Sequence, residues 1–115
     1  MVAILVLEDE PFIALDLQFA LNDAGVEPRM ARTCEEALAA IIKYEIAAAI
    51  LDVNLGHGKT CEEVAVELSR LGRPFLLHTG DLNRSGEFLR ELNAPIVPKP
   101  AAADAVVREV LDLIG

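Results

Sequence analysis

Apolar residues in this chain come in short bursts, and helical patterns fill the spaces between them. "VAILVL" (2–7) is a continuous apolar run, β-branched in part and too short for an independent helix. Pro11 follows at a first helical turn, where its missing N–H costs nothing. Ile13, Leu17, Ala20, Leu21 and Ala24 then recur at helical spacing until Gly25 stops the pattern. "VEPRMA" (26–31) reads as an edge-type strand, because Pro28 cannot donate to a ladder. Thr33 with Glu36 makes a T-x-x-E capping box for a helix running to about Tyr44. Thr60 with Glu63 predicts a second box and a helix ending near Leu71, with Gly72 as the stop. "IAAAILD" (46–52) is the strand between these two helices, although its alanines would also suit a helix. "PFLLHT" (74–79) and "PIVPK" (95–99) are the last two strands, with a short helix within 84–92 and a final one over 101–114.

Five strands alternating with five helices predict an α/β fold: a single doubly wound five-stranded parallel sheet with helices on both faces. Three of the strands are unbroken apolar runs, as strands covered on both sides tend to be. No repeat, linker or low-complexity tract interrupts the pattern, so residues 1–115 are expected to form one domain.

Composition narrows the function classes. The chain has 115 residues, 53% hydrophobic and 25% charged, which is globular and large enough to bury a core. Its apolar runs fall far short of the roughly 18 residues of a membrane span. "MVAILVLEDE" lacks the basic n-region of a signal peptide, so a cytoplasmic location and no membrane partner are expected. A net charge of -9 without any Lys- or Arg-rich run argues against nucleic acid, whose phosphates demand a basic face. Cys34 and Cys61 have no CxxC spacing and no histidine nearby, and read as packed thiols.

In an open parallel sheet, ligands bind beyond the carboxyl ends of the strands. Here the first strand delivers Glu8, Asp9 and Glu10, and the third delivers Asp52. The fourth ends in Thr79 and Gly80, and the fifth in Lys99 and Pro100. Glu10 reads as an acid favoured at a helix N-terminus. The other carboxylates, meeting at one edge, raise one another's pKa unless a cation joins them. Lys99 can neutralise one. All-oxygen ligands favour magnesium or manganese over zinc, and magnesium held by one or two carboxylates ordinarily works on phosphate. A carboxylate can attack phosphorus and form an acyl phosphate. Asp52, alone on the central strand, is the best-placed nucleophile, with Lys99 supplying charge and the Thr79 hydroxyl donating to a phosphoryl oxygen. Gly80 leaves room for the incoming group.

Taken together, "VLEDEP", "ILDVNLGHG", "HTG" and "PKP", in that order and each at a strand end, resemble the receiver domain of bacterial two-component response regulators, of the stand-alone single-domain type, over residues 2–114. The resemblance implies a flavodoxin-like (βα)5 fold, with Asp52 as the phosphoacceptor, Thr79 as the switch hydroxyl and Lys99 as the phosphate-sensing lysine. It implies a Mg2+ site made by the acidic pair Glu8 and Asp9, Asp9 the direct ligand, with Asp52 and the backbone carbonyl of Asn54. It also implies a cis bond between Lys99 and Pro100.

A receiver of this kind would take its phosphoryl group from a sensor histidine kinase or a histidine phosphotransfer protein. Its only catalysis would be on itself. It would signal to a downstream protein through the helix within 84–92, the last strand and the last helix, and homodimer formation stays open. A phosphate shuttle or sink without an output partner is the alternative that the sequence does not separate. An aspartyl-nucleophile phosphatase would commonly carry a second aspartate where Asn54 stands, which speaks against that activity.

Three positions depart from the family pattern. Ile96 occupies the place of the usual aromatic switch residue, Glu8 replaces the commoner aspartate, and Pro98 directly precedes Lys99, predicting an edge position or a distorted strand end. Of the two histidines, His57 reads as a solvated loop residue, and His78, alternating with Thr79, as a hydrogen-bonded packing residue on the other face. Phe12, Leu15 and Phe19 form a second apolar stripe on the first helix, which either packs on the last helix or offers a docking surface to the kinase.

Overall fold

The apolar runs become the strands of one sheet in the computed structural model, which describes residues 1–56, 58–80 and 91–115. Strands β1 (Ala3–Leu7), β2 (Glu27–Ala31), β3 (Ile46–Leu51), β4 (Phe75–Thr79) and β5 (Ile96–Pro98) pair in the order β2-β1-β3-β4-β5, every pair parallel. The two proline-bearing strands take the two edges, where the missing N–H would face away from the sheet. Four helices are seen among the described residues: α1 (Pro11–Asp23), α2 (Cys34–Lys43), α3 (Glu62–Arg70) and α4 (Ala103–Asp112). Of the helix expected within 84–92, only Glu91 and Leu92 are described, and both are helical; His57 lies outside the described residues.

Alternation along the strands sorts the core into two layers. Leu5, Leu7, Ala49, Leu51 and Leu77 pack under α2 and α3 with Ala37, Val64 and Leu68. Ile4, Val6, Ala48, Ile50 and Leu76 pack under α1 and α4 with Leu17, Leu21, Val106 and Val110. β1 is buried at every position because both of its faces are covered. The alanines of β3 settle as strand, and Ala48 and Ala49 are both fully buried.

One register break decides which β3 side chain faces which layer. Ala3 pairs with Ile46 but Ile4 pairs with Ala48, so Ala47 is an extra residue on β3. Ile46 therefore belongs to the α2/α3 layer, and Ala48, two positions on, to the α1/α4 layer. Arg73 donates from Nη1 to the Ile46 carbonyl at 2.9 Å, giving that oxygen a partner beside the break.

The first capping box forms as expected, with Thr33 Oγ1 accepting from the Glu36 N–H at 3.1 Å. The second does not. The N-cap of α3 is Cys61, with no side-chain cap, and Thr60 Oγ1 accepts from the Glu62 N–H at 3.3 Å instead. Thr60 is bridged antiparallel to Asn54, and the Cys61 N–H donates to the Val53 carbonyl at 3.1 Å. This segment is tied back to the end of β3 and reaches helical geometry one residue later than the spacing predicts. Glu10 is the N-cap of α1, accepting from the Ile13 N–H at 2.8 Å. Cys34 Sγ donates to the Thr60 carbonyl, while Cys61 is buried and its thiol is pushed up to about 12 by desolvation. No helix among the described residues is long and apolar enough to cross a membrane.

Candidate functional site

Glu8, Asp52 and Lys99 each sit just past a strand and are fixed there by the backbone ladder. The Glu8 N–H donates to Ala31 O at 3.0 Å, and the Asp52 N–H to Leu7 O at 2.9 Å. The Lys99 N–H donates to Thr79 O at 2.9 Å. Three different strands thus hold their side chains toward one point at the carboxyl edge of the sheet, the place where α/β folds bind ligands.

Carboxylate oxygens of Glu8, Asp9 and Asp52 lie within 4.8 Å of one another. Glu8 is 3% exposed and Asp52 5%, so these are not solvated surface acids. Lys99 Nζ lies 2.7 Å from Glu8 Oε1 and donates to Asp52 Oδ2 at 3.3 Å. Glu8 Oε2 also accepts from the Glu10 N–H at 3.2 Å, which orients the carboxylate. Burial, and then the Glu8 carboxyl beside it, push the Asp52 carboxyl from 3.8 up to about 7; Lys99 pulls in the other direction. Burial works against the charge on Lys99, but hydrogen bonds and attraction from Glu8 and Asp52 outweigh it and raise its pKa. One lysine therefore does not satisfy the cluster.

That imbalance, in a set of hard oxygen donors with no sulfur or imidazole among the described residues, fits a divalent cation such as Mg2+. Glu8, Asp9 and Asp52 are the side chains placed to hold it. Asn54 is on the surface two residues beyond Asp52, and its side-chain Oδ1 accepts from the Gly56 N–H at 3.1 Å. Thr79 is buried at the end of β4, and the Lys99–Pro100 bond is cis. A side chain on Gly80 would meet Lys99 Cβ at 3.7 Å, an ordinary contact, so this neighbour does not demand a glycine.

Two contacts beside the site join residues too far apart for local sequence to show. Gly56 has φ +82° and passes beside Asp9, where a Cβ would stand 3.8 Å from Oδ2. The glycine was visible in "LGHG", but its approach to Asp9 depends on how the loop folds back. His78 is buried and hydrogen-bonded as alternation suggested, and its partner is the Val97 carbonyl of the lysine-bearing strand.

No family model and no curated protein sequence matches the chain, and its likeness is to solved structures. The response regulator protein TrrA from Thermotoga maritima, solved in complex with Mg2+ and BeF, is 28% identical with a TM-score of 0.83, covering 98% of this chain and 99% of that one. A CheY-like receiver domain protein from Methanospirillum hungatei JF-1 is 21% identical with a TM-score of 0.87, covering 99% and 94%. The chemotaxis protein CheY4 of Vibrio cholerae is 23% identical with a TM-score of 0.83, covering 100% and 99%. In strand order, in layering and along nearly its whole length, the chain has the fold of the CheY-like response regulator receiver domains.

Proposed function

We propose that this protein is a phosphoryl-accepting switch of a two-component system, modified on Asp52. The observation that carries the reading is the meeting of Glu8, Asp9 and Asp52 within 4.8 Å, with Lys99 Nζ at 2.7 Å from Glu8 and 3.3 Å from Asp52. An ionised Asp52 attacks phosphorus from a phosphohistidine donor. An Oδ–P bond forms, the P–N bond breaks, and the leaving imidazole takes up a proton. Lys99, already within reach of Asp52, pairs with the charge gathered on the phosphoryl oxygens, and Thr79 is placed at the adjacent strand end. A Mg2+ ion held by Glu8, Asp9 and Asp52 would supply further positive charge for a loose transition state that needs positioning more than covalent help. Hydrolysis of the acyl phosphate returns the chain to its starting state, and this self-directed chemistry is its only catalysis.

Intact-mass measurement after incubation with acetyl phosphate tests the reading. A phosphate-sized gain is expected in the parent with Mg2+, none with chelator, and none in Asp52→Asn. A gain that persisted in Asp52→Asn would identify another nucleophile.

The phosphoryl donor is read as a histidine kinase or phosphotransfer protein docking on α1. Phe12, Leu15 and Phe19 are 77%, 45% and 60% exposed, so the stripe does not serve packing against α4. With the stripe open, Phe12→Ser is expected to slow phosphotransfer from the cognate kinase about tenfold, the usual loss for a truncated aromatic anchor. Labelling by acetyl phosphate should stay at the parent rate, because no protein docks in that reaction. Equal phosphotransfer by both proteins would remove α1 from the docking surface. Output is read as passing through β5 and α4, where Ile96 stands exposed.

A further inference from the structure

The element that carries Lys99 is weakly held. β5 has three residues and lies at the sheet edge, and only its middle residue, Val97, is half-buried. Pro95, Pro98 and Pro100 surround its donors, and among the described residues β4 is its sole ladder partner. Backbone bonds run from the Leu77 N–H to Pro95 O at 2.8 Å and from the Lys99 N–H to Thr79 O at 2.9 Å. Between these two, His78 of β4 reaches its own pairing partner: Nδ1 lies 2.8 Å from the Val97 carbonyl oxygen. A carbonyl only accepts, so Nδ1 carries the proton.

His78 is 3% exposed and lines a cavity of about 140 Å³ together with Ile13, Asp16, Leu17 and Lys99. A buried imidazole is a costly way to fill space that Leu76, two residues earlier on the same face, fills without polar atoms. What the ring supplies and a leucine could not is the bond to Val97, two residues before Lys99.

We propose that His78 is a positioning residue for Lys99. Its Nδ1–H pins the middle of β5 to β4, and so holds Lys99 Nζ between Glu8 and Asp52. The inference rests on reading Asp52 as the phosphoryl acceptor, and it deepens that reading.

The test compares the parent with His78→Leu and His78→Asn, the asparagine amide standing where Nδ1 stands. With acetyl phosphate and saturating Mg2+, His78→Leu is expected to label Asp52 roughly ten to a hundred times more slowly, the usual scale of a misplaced catalytic group. Its Mg2+ affinity should not fall, because the acidic ligands belong to other strands and lose only a competing cation. His78→Asn should return the rate to within about threefold of the parent by restoring the donor. A parent-like rate in His78→Leu overturns the proposal, and so does equal slowing in both variants, which would make ring shape the cause. Nitrogen NMR of the parent must show Nδ1 protonated; a bare Nδ1 also overturns it. Crystal structures of the parent and His78→Leu give a readout independent of phosphorylation. Nζ within hydrogen-bond reach of both acids in the parent and displaced in the variant supports the proposal, and an unmoved Nζ ends it. If the parent itself takes no phosphoryl group, the Asp52 reading fails while the structures still decide His78.

Discussion

Asp52→Asn makes the metal-free protein more stable at pH 8, by about 2–4 kcal/mol. The carboxyl titrates near 7 in the fold against 3.8 when free, so the folded state holds the proton more tightly. A raised pKa of this kind contributes stability that is fully present below pH 3.8 and is lost as pH rises through about 7. Above that, the ionised acid stands buried beside Glu8 with, among the described residues, one lysine to share between them. Asparagine removes the charge and keeps the shape, and its amide can both accept from Lys99 and donate to Glu8. Urea unfolding with chelator should therefore show no gain at pH 4 and a growing gain through pH 7. Saturating Mg2+ narrows the difference. The parent gains about 2.7 kcal/mol at a hundredfold excess over Kd, and the variant, short of one ligand, gains less. Equal stability of the two metal-free proteins at pH 8 would mean that Asp52 is not strained by its surroundings.

Lys99→Ala works in the opposite direction on the same cluster. Removing one partner from buried opposite charges leaves the others uncompensated, at about 3–5 kcal/mol. Lys99 has its pKa raised in the fold, so its contribution is present throughout the range below its ordinary 10.5. The loss should be largest at pH 8 and smaller near pH 5, where Asp52 takes up a proton and one negative charge disappears. Mg2+ should restore part of it by supplying charge to the same oxygens. Chemical denaturation of the variant at both pH values, with chelator and with Mg2+, reads all of this. A loss that did not depend on pH or metal would point to packing of the lysine stem rather than to its charge.

These two opposed substitutions rest on groups that local sequence already exposed. Polar residues at the ends of apolar runs named Glu8, Asp9, Asp52, Thr79 and Lys99, because a strand covered on both faces has no other reason to finish on an acid. Proline spacing placed β2 and β5 at the edges, since a missing N–H is tolerated only there. The four described helices followed from the 3.6-residue period, and the start of α2 from the Thr33 box. The Thr60 box failed because a bridge to Asn54 lies outside any local rule.

What the amino-acid order determined by itself was therefore the class of fold, the two edge strands and the chemical character of the site. These depend on periods of two and 3.6 residues and on turn chemistry within a few positions. Tertiary structure alone decided the rest. The extra residue Ala47 sets which β3 side chain faces which helical layer, because a one-residue slip exchanges the faces of a strand. The distances among Glu8, Asp9, Asp52 and Lys99, and the bond from His78 to Val97, join residues far apart in the chain. Burial at that meeting point removes the water that would otherwise screen their charges, and so a row of ordinary acids becomes a site.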